Sequence, residues 1–222
     1  MPPRRSAAPR LIETEEDIKA GIKALRRKCG IVRLMHDRTG LPPLRRGPAG
    51  FEGLARIVVG QQVSVASAAA IWGRTQSAVA PFSASRLIET PESVLRAAGL
   101  SAGKVRTLRA IAAAVTADGL DLDDMGWRSD EDVHEALTAI SGIGPWTADI
   151  FLMFCLGRAD GFAAGDLALQ VAMQMAAGLD SRPSASELAE FAETWRPWRG
   201  VAARLLWAFY KVEKDARSGV PV

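Results

Sequence analysis

Apolar residues in this chain recur with the three-to-four-residue period of an α-helix, and the alternating pattern of β-strands is nearly absent. A first helix is predicted from a cap at Thr14 to a stop at Gly30. Clusters of Gly, Pro, Ser and Asp separate the later periodic segments, which are residues 51–79, 91–97, 103–117, 130–140, 146–156, 167–177, 184–194 and 198–214. The pattern predicts an all-α protein of about eight to ten helices.

Charge is unevenly distributed along the chain. Residues 1–50 hold twelve Lys and Arg against five Asp and Glu, whereas residues 51–222 hold sixteen against twenty. A basic arm can bind nucleic acid through phosphate contacts and counterion release, and a solubilising tail explains the same charge equally well. Residues 1–12 are rich in Pro, Arg and Ala and are predicted to be disordered, and "GLPPLRRGPAG" (40–50) is predicted to be a linker.

Composition excludes several classes of protein. No apolar run approaches the roughly 20 residues of a membrane span, and no apolar stretch follows the basic N-terminus as in a signal peptide. Cys29 and Cys155 are the two cysteines; they cannot form a zinc or iron–sulfur site by themselves and are predicted to be reduced thiols of a cytoplasmic protein. His36 and His134 have no ligand-like neighbours in sequence. No cofactor is therefore expected.

The stretch "LTAISGIGPWTAD" (137–149) joins two helical segments through an unusually dense turn. Gly142 stands where a C-terminal glycine with positive φ belongs, Gly144 is expected to let the chain reverse again, and Pro145 suits the first position of a new helix. The second helix would begin with free backbone N–H groups facing outward, which is a site for an anion such as a phosphate. A simple corner between two helices is the alternative.

The same stretch resembles the helix-hairpin-helix motif of the HhH-GPD superfamily of DNA glycosylases. The matching residues are Leu137, Ile140, Gly142, Ile143, Gly144, Thr147 and Ala148. That superfamily follows its hairpin with a Gly/Pro-rich loop and an essential aspartate, and "GRADGFAAGD" places Asp166 at that position here. The resemblance implies a helical domain over residues 13–222 with two lobes and a pocket for the damaged base between them.

Two further stretches are similar to bacterial 3-methyladenine DNA glycosylase II enzymes. They are "IVVGQQVSVASAAAI" (57–71) and "FAETWRPWRGVAARLLWAFY" (191–210). The larger members of that group carry an N-terminal β-rich domain, so this chain is similar to a compact form without it. The resemblance implies hydrolysis of the N-glycosidic bond of alkylated purines in duplex DNA, chiefly 3-methyladenine with 7-methylguanine as a further candidate, by a monomer.

Asp166 is the predicted catalytic residue. A carboxylate near C1′ of the sugar can stabilise the positive charge of an oxocarbenium-like transition state and position a water molecule. Asp166 also precedes "LALQVAMQ" as a helix cap would, and a capping role is compatible with catalysis because it would fix the carboxylate. Asp160 is the rival acid but has the sequence context of a turn, and Asp149 is expected to be structural.

Trp146 stands where relatives with lyase activity carry a nucleophilic lysine. No lysine occurs between Lys104 and Lys211, so an amine nucleophile from the hairpin is excluded. The iron–sulfur branch of the superfamily is excluded as well, because it needs four cysteines beyond the hairpin. The sequence therefore predicts a monofunctional enzyme that releases the base and leaves the strand intact.

The resemblance also assigns residues to base and DNA recognition. Trp146 and Trp207 are expected to line the base pocket, where cation–π attraction would favour a cationic purine, and Ile150 replaces a tyrosine of the relatives. Gln61 and Gln62 are assigned to DNA binding: Gln62 is the expected wedge that fills the gap left by the flipped base, Gln61 has the more structural role, and either could instead be a surface amide. The hairpin residues Gly142, Ile143, Gly144 and Thr147 are expected to contact DNA, and the carbonyls of residues 140–144 are candidate ligands of a monovalent cation.

Two alternatives remain open at this stage. A non-catalytic helix-hairpin-helix module would bind DNA and release no base from any substrate. The same chemistry could instead act on uracil, hypoxanthine or an oxidised purine, although such neutral bases usually call for polar groups in the pocket and none stands out in the sequence.

Overall fold

The computed structural model describes residues 9–218, and within that range it consists of α-helices without a β-strand. The helices are α1 (Glu15–Lys28), α2 (Gly30–Thr39), α3 (Gly50–Gly60), α4 (Val65–Ala78), α5 (Ala84–Glu89), α6 (Glu92–Ala97), α7 (Ala102–Thr116), α8 (Asp130–Thr138), α9 (Pro145–Ile150), α10 (Leu167–Ala177), α11 (Ala185–Ala192) and α12 (Arg199–Ser218). None of these helices combines the length and the apolarity that crossing a membrane requires. The predicted all-α fold is confirmed.

The chain divides into two compact units. The first unit contains residues up to Arg46 and from Gly157 onward, and therefore holds α1, α2 and α10–α12. The second unit contains residues 47–156 and holds α3–α9.

The core of the second unit forms around α7. Ser101 caps this helix by accepting a hydrogen bond from the backbone N–H of Lys104. Val105, Leu108 and Ile111 then recur at helical spacing and are all buried. Helices α3 and α5 pack on α7. The amphipathic pattern of the sequence thus accounts directly for this layer of helices.

The core of the first unit forms around α12, which packs on α2 and α10. Gly21 of α1 allows a close approach here, because a Cβ at that position would lie 2.7 Å from Cγ2 of Val201 and 2.9 Å from the Trp198 ring. Trp195 is fully buried and Trp198 is nearly so. Both tryptophans therefore pack in the core of this unit.

The structure differs from the predicted helix boundaries at three places. The segment 51–79 is two helices, because the chain turns at residues 61–64, where Gln62 has φ +55° and Ser64 caps α4. Gly30 does follow the end of α1, but a further helix, α2, begins at that glycine. Helix α5, which Ser83 caps, lies between the predicted segments 51–79 and 91–97, where the sequence predicts no helix. The described residues therefore contain twelve α-helices, more than predicted.

The predicted disordered tail, residues 1–12, is only partly within the described range, because residues 1–8 lie outside it. Within the range, the backbone N–H of Ile12 donates to the carbonyl of Gly157 at 2.7 Å, and the carbonyl of Arg10 accepts from the N–H of Ala159 at 2.9 Å. Ile12 is fully buried. Residues 10–12 are thus ordered, since burial of the isoleucine and backbone pairing fix them against the loop that follows Gly157.

Candidate functional site

The turn between α8 and α9 is built on one glycine with positive φ. Gly142 has φ +88°, and the N–H of Ile143 closes the turn by donating to the carbonyl of Ile140 at 3.0 Å. A Cβ at Gly142 would also collide with the side chain of Thr107 on α7. Glycine is therefore required here for both conformation and space. Pro145 occupies the first turn of α9 as predicted, and the helix continues as a π-helical turn over Phe151–Cys155.

The second glycine of the hairpin, Gly144, has a different role from the one its sequence position indicated. It precedes α9 with φ −100° and ψ 174°, an extended conformation that any residue adopts, so the chain reversal does not depend on it. The prediction that Gly144 is needed for the chain to reverse is therefore wrong. Apart from Gly144 itself and its two chain neighbours, no atom of residues 9–218 lies within 4 Å of the position a Cβ would take. Gly144 therefore leaves an exposed stretch of backbone that another molecule can approach closely.

The turn at residues 61–64 is attached to the hairpin by a side-chain hydrogen bond. Gln61 Nε2 donates to the hydroxyl oxygen of Thr147 at 2.9 Å, and Thr147 is buried on α9. Gln62 is exposed and has φ +55°, a left-handed conformation that non-glycine residues seldom adopt. Gln61 thus fixes the turn while Gln62 is exposed on it, and the DNA contacts expected of these two residues stay predictions.

Lys104 supports the same turn, a contribution that the sequence did not reveal. Its Nζ donates to the carbonyl of Val59 at 2.7 Å, one of the carbonyls at the end of α3 that have no partner within the helix. Burial lowers the pKa of Lys104. The lysine therefore caps α3 immediately before Gln61 and Gln62.

Asp166 lies at the N-cap of α10, in the first unit. Its Oδ1 accepts hydrogen bonds from the backbone N–H groups of Ala168 at 2.9 Å and Leu169 at 3.1 Å. The loop before it is held as well, because the Asp166 N–H donates to the carbonyl of Ala163 and the Gln170 side chain donates to the carbonyl of Ala164, both at 2.9 Å. Asp166 is thus both a helix cap and a half-buried carboxylate in a fixed position.

Trp207 on α12 is the third donor to this carboxylate. Its indole Nε1 donates to Asp166 Oδ1 at 3.2 Å. Sequence reasoning assigned Trp207 to base stacking and missed this contact, which joins residues 41 positions apart. Helices α10 and α12 pack directly on each other, and this packing brings the two side chains together.

Trp146 and Ile150 lie four residues apart on α9, so both point to the same side of that helix. Trp146 is half-buried and Ile150 is buried. Their proposed contacts with a base stay predictions.

Asp160 and Asp149, the other two aspartates considered in the sequence, each contact a basic side chain. Asp160 binds the guanidinium groups of Arg196 and Arg199, with Arg199 Nε 3.0 Å from its Oδ1. Asp149 Oδ1 lies 3.7 Å from Nε2 of His134, so this pair joins α9 to α8. His134 therefore has a partner in the hairpin that its sequence context did not indicate, and both acids have structural roles.

No cluster of three or more His, Cys, Asp or Glu side chains that could bind a metal ion occurs among residues 9–218. Neither Cys29 nor Cys155 forms a disulfide bond.

Comparison with known proteins gives a consistent result. DNA-3-methyladenine glycosylase 1 of Schizosaccharomyces pombe is 32% identical over 170 residues, which are 73% of this chain and 73% of that protein. The structure of the 3-methyladenine DNA glycosylase Mag1 of the same organism, in complex with abasic DNA, matches with a TM-score of 0.78 at 28% identity, covering 85% of this chain and 95% of that one. A DNA-3-methyladenine glycosidase from Bacillus halodurans matches with a TM-score of 0.76 at 30% identity, covering 88% and 91% respectively.

The family assignment follows from a further match. The family model of the HhH-GPD superfamily base excision DNA repair protein matches residues 55–197, a range that includes the hairpin and Asp166. Because this range is well over half of the chain, the resemblance found in the sequence is confirmed, and the protein belongs to the HhH-GPD superfamily of base excision DNA repair proteins.

Proposed function

We propose that this protein is a DNA glycosylase that hydrolyses the N-glycosidic bond of alkylated purines in duplex DNA, chiefly 3-methyladenine. The observation that carries the proposal is the Asp166 carboxylate, which three N–H donors hold in place at the superfamily's aspartate position. Relatives from a yeast and a bacterium that are named for 3-methyladenine support the substrate class.

The proposed reaction breaks the bond between C1′ of the deoxyribose and the purine nitrogen. The purine leaves with the electron pair of that bond, and because the alkylated base was cationic it departs neutral without needing a strong general acid. The negative charge of Asp166 stabilises the developing positive charge at C1′. A water oxygen then bonds to C1′, and the proton that the water loses passes to the carboxylate and on to solvent.

Trp207 is a positioning residue in this proposal. Its indole N–H donates to Oδ1 of Asp166, the same oxygen that accepts the two backbone N–H groups, so three hydrogen bonds restrain one carboxylate oxygen. A hydrogen bond to a charged group contributes about 1.5–3 kcal/mol, enough to affect the rate if the carboxylate shifts when it is lost.

We expect Trp207→Phe to slow single-turnover release of 3-methyladenine about tenfold and to change substrate affinity less than the rate, because phenylalanine keeps an aromatic ring but lacks the indole N–H. The measurement is the single-turnover rate and its half-saturation with methylated duplex. Trp127→Phe is the matched control, since Trp127 is 89% exposed in the second unit. Equal rates for Trp207→Phe and the wild type would contradict the positioning role of Trp207.

We propose that the enzyme binds DNA through the hairpin and releases the base without cleaving the strand. The exposed backbone at Gly144 would approach a phosphate, and Gln62 would enter the space vacated by the flipped base. Trp146 in place of the lyase lysine supports water as the nucleophile.

We further propose that catalysis by the monomeric protein needs no cofactor. A monovalent cation at the hairpin is compatible with the turn, because the Ile140 carbonyl accepts the N–H of Ile143 and a carbonyl oxygen has a second lone pair for an ion. Such an ion would be held by carbonyls of residues 140–144 and would add positive charge beside the bound phosphate. The cytoplasmic location stays a prediction.

The lesion class is tested by a panel of duplexes that carry alkylated, deaminated or oxidised bases. We expect the wild-type protein to release 3-methyladenine at least about a hundredfold faster than uracil, hypoxanthine or 8-oxoguanine, because a cationic purine is the better leaving group. The measurement is chromatography of the free bases. Preferential release of a neutral base would show that the chemistry acts on another lesion, and release of no base would favour the non-catalytic DNA-binding alternative.

A further inference from the structure

Helices α1 and α2 line a surface groove of about 470 Å³ in the first unit. Its lining includes five cationic residues, Lys19, Lys23, Arg26, Arg27 and Arg33. Neither Asp166 nor Trp207 lines it, so the groove is separate from the candidate catalytic residues.

The spacing of the cations on α1 explains why they share one side of the helix. Lys19, Lys23, Arg26 and Arg27 fall at positions i, i+4, i+7 and i+8, which lie on one face. They extend over about 12 Å of helix axis, given a rise of about 1.5 Å per residue. The charges thus form a line rather than converging on a point.

Three of these five cations, Lys23, Arg27 and Arg33, form no ion pair with an acidic residue among the described residues. Glu16 pairs with Lys19, and Asp37 pairs with Arg26. Lys23 and Arg27 are exposed and take part in none of the ion pairs found among the described residues. The groove therefore keeps an excess of positive charge that the protein itself does not neutralise.

Two arginines of the groove are already held in position. Arg33 Nη1 donates to the carbonyl of Arg26 at 2.7 Å, and Arg26 Nη1 donates to His36 Nδ1 at 2.9 Å. Burial and the nearby Arg26 charge lower the pKa of His36, which favours the neutral imidazole that can accept this bond. Guanidinium groups that are fixed before binding lose less conformational entropy when an anion arrives.

We propose that this groove binds the phosphate backbone of duplex DNA, as a contact surface additional to the hairpin. The inference rests on the proposed function, which makes DNA the substrate. A DNA strand carries a phosphate about every 3.4 Å of helix axis, so the line of charge on α1 spans about three or four phosphates. This geometry suits a linear polyanion better than a small anion. It also suits DNA better than an acidic peptide, because Leu41 is the one half-exposed apolar residue in the lining.

The test measures binding of undamaged duplex DNA at salt concentrations from ~50 to ~200 mM. The groove variant is Lys23→Gln/Arg27→Gln in the full chain. The control variant is Arg182→Gln/Lys211→Gln, which removes the same charge from two exposed residues of the first unit outside the groove. We expect the groove variant to lower the slope of log K against log salt by about 1.8 and to bind about tenfold more weakly, with the control close to wild type.

Three outcomes would overturn the groove as a DNA contact. The first is a salt slope of the groove variant equal to that of the wild type, and the second is an equal loss of DNA affinity in the control variant. The third is an unchanged DNA affinity of the groove variant, which is the result that an acidic protein ligand of the groove would give. Because the duplex is undamaged, no base release enters the measurement. If the groove variant behaves as expected and the wild type releases no alkylated base, the proposed catalytic function fails and the DNA contact stands.

Discussion

Replacement of Asp166 by asparagine should lower the rate of 3-methyladenine release by about 10²–10³-fold, equivalent to about 3–4 kcal/mol of transition-state stabilisation. The reason is that the substitution removes the negative charge and keeps the shape. An asparagine carbonyl oxygen can accept the same hydrogen bonds from Ala168, Leu169 and Trp207, and asparagine is also a favoured helix cap. The fold and the binding of DNA should therefore persist while catalysis is lost.

The measurement is the single-turnover rate on methylated duplex DNA, together with the free energy of unfolding and the affinity for undamaged DNA. Asp180→Asn is the matched control, because Asp180 is an exposed residue of the same unit and undergoes the same chemical change. A variant Asp166→Asn that released the base at the wild-type rate would contradict the catalytic role of this carboxylate.

Alanine at the two hairpin glycines should affect different properties, namely stability at residue 142 and DNA affinity at residue 144. Gly142→Ala should lower the free energy of unfolding by about 3 kcal/mol, because φ is +88° and the new methyl group would collide with Thr107. Gly144→Ala should change it by less than about 0.5 kcal/mol, since the backbone is extended and the space is open. The same methyl group at residue 144 should weaken DNA binding about tenfold by keeping a phosphate away from the backbone.

Urea unfolding and DNA titration of the two variants check this pair of expectations, and each variant is the control for the other. Equal stability of the two variants would mean that Gly142 does not impose the turn. Wild-type DNA affinity in Gly144→Ala would mean that the open backbone there is not a phosphate contact.

Local sequence patterns predicted most of the fold because they report on local physics. The cap at Thr14, the positive φ of Gly142 and the first-turn position of Pro145 all depend on residues within one or two helical turns. The break at residues 61–64 escaped prediction because neither glycine nor proline stands within it, and only the left-handed φ of Gln62 reveals the turn. Helix α2 was missed because Gly30 ends one helix and begins the next without an intervening loop.

The contacts that hold the candidate site depend on tertiary packing and could not be predicted from local patterns. Asp166 was found through its spacing from the hairpin, but its bond to Trp207 spans 41 residues and requires α10 to pack on α12. The bond from Gln61 to Thr147 spans 86 residues, and the cap that Lys104 provides on Val59 spans 45. Asp166 and Gln61 could be singled out from the sequence, whereas their hydrogen-bond partners could be identified only in the folded structure.

The most direct test of the proposed activity is a product analysis of wild-type protein incubated with methylated duplex DNA. The proposed function predicts free 3-methyladenine in solution and DNA strands that stay intact until alkali cleaves them at the abasic sites. Strand breaks that form without alkali would contradict the monofunctional chemistry inferred from Trp146, and the absence of any released base would contradict the central claim that this protein is a glycosylase.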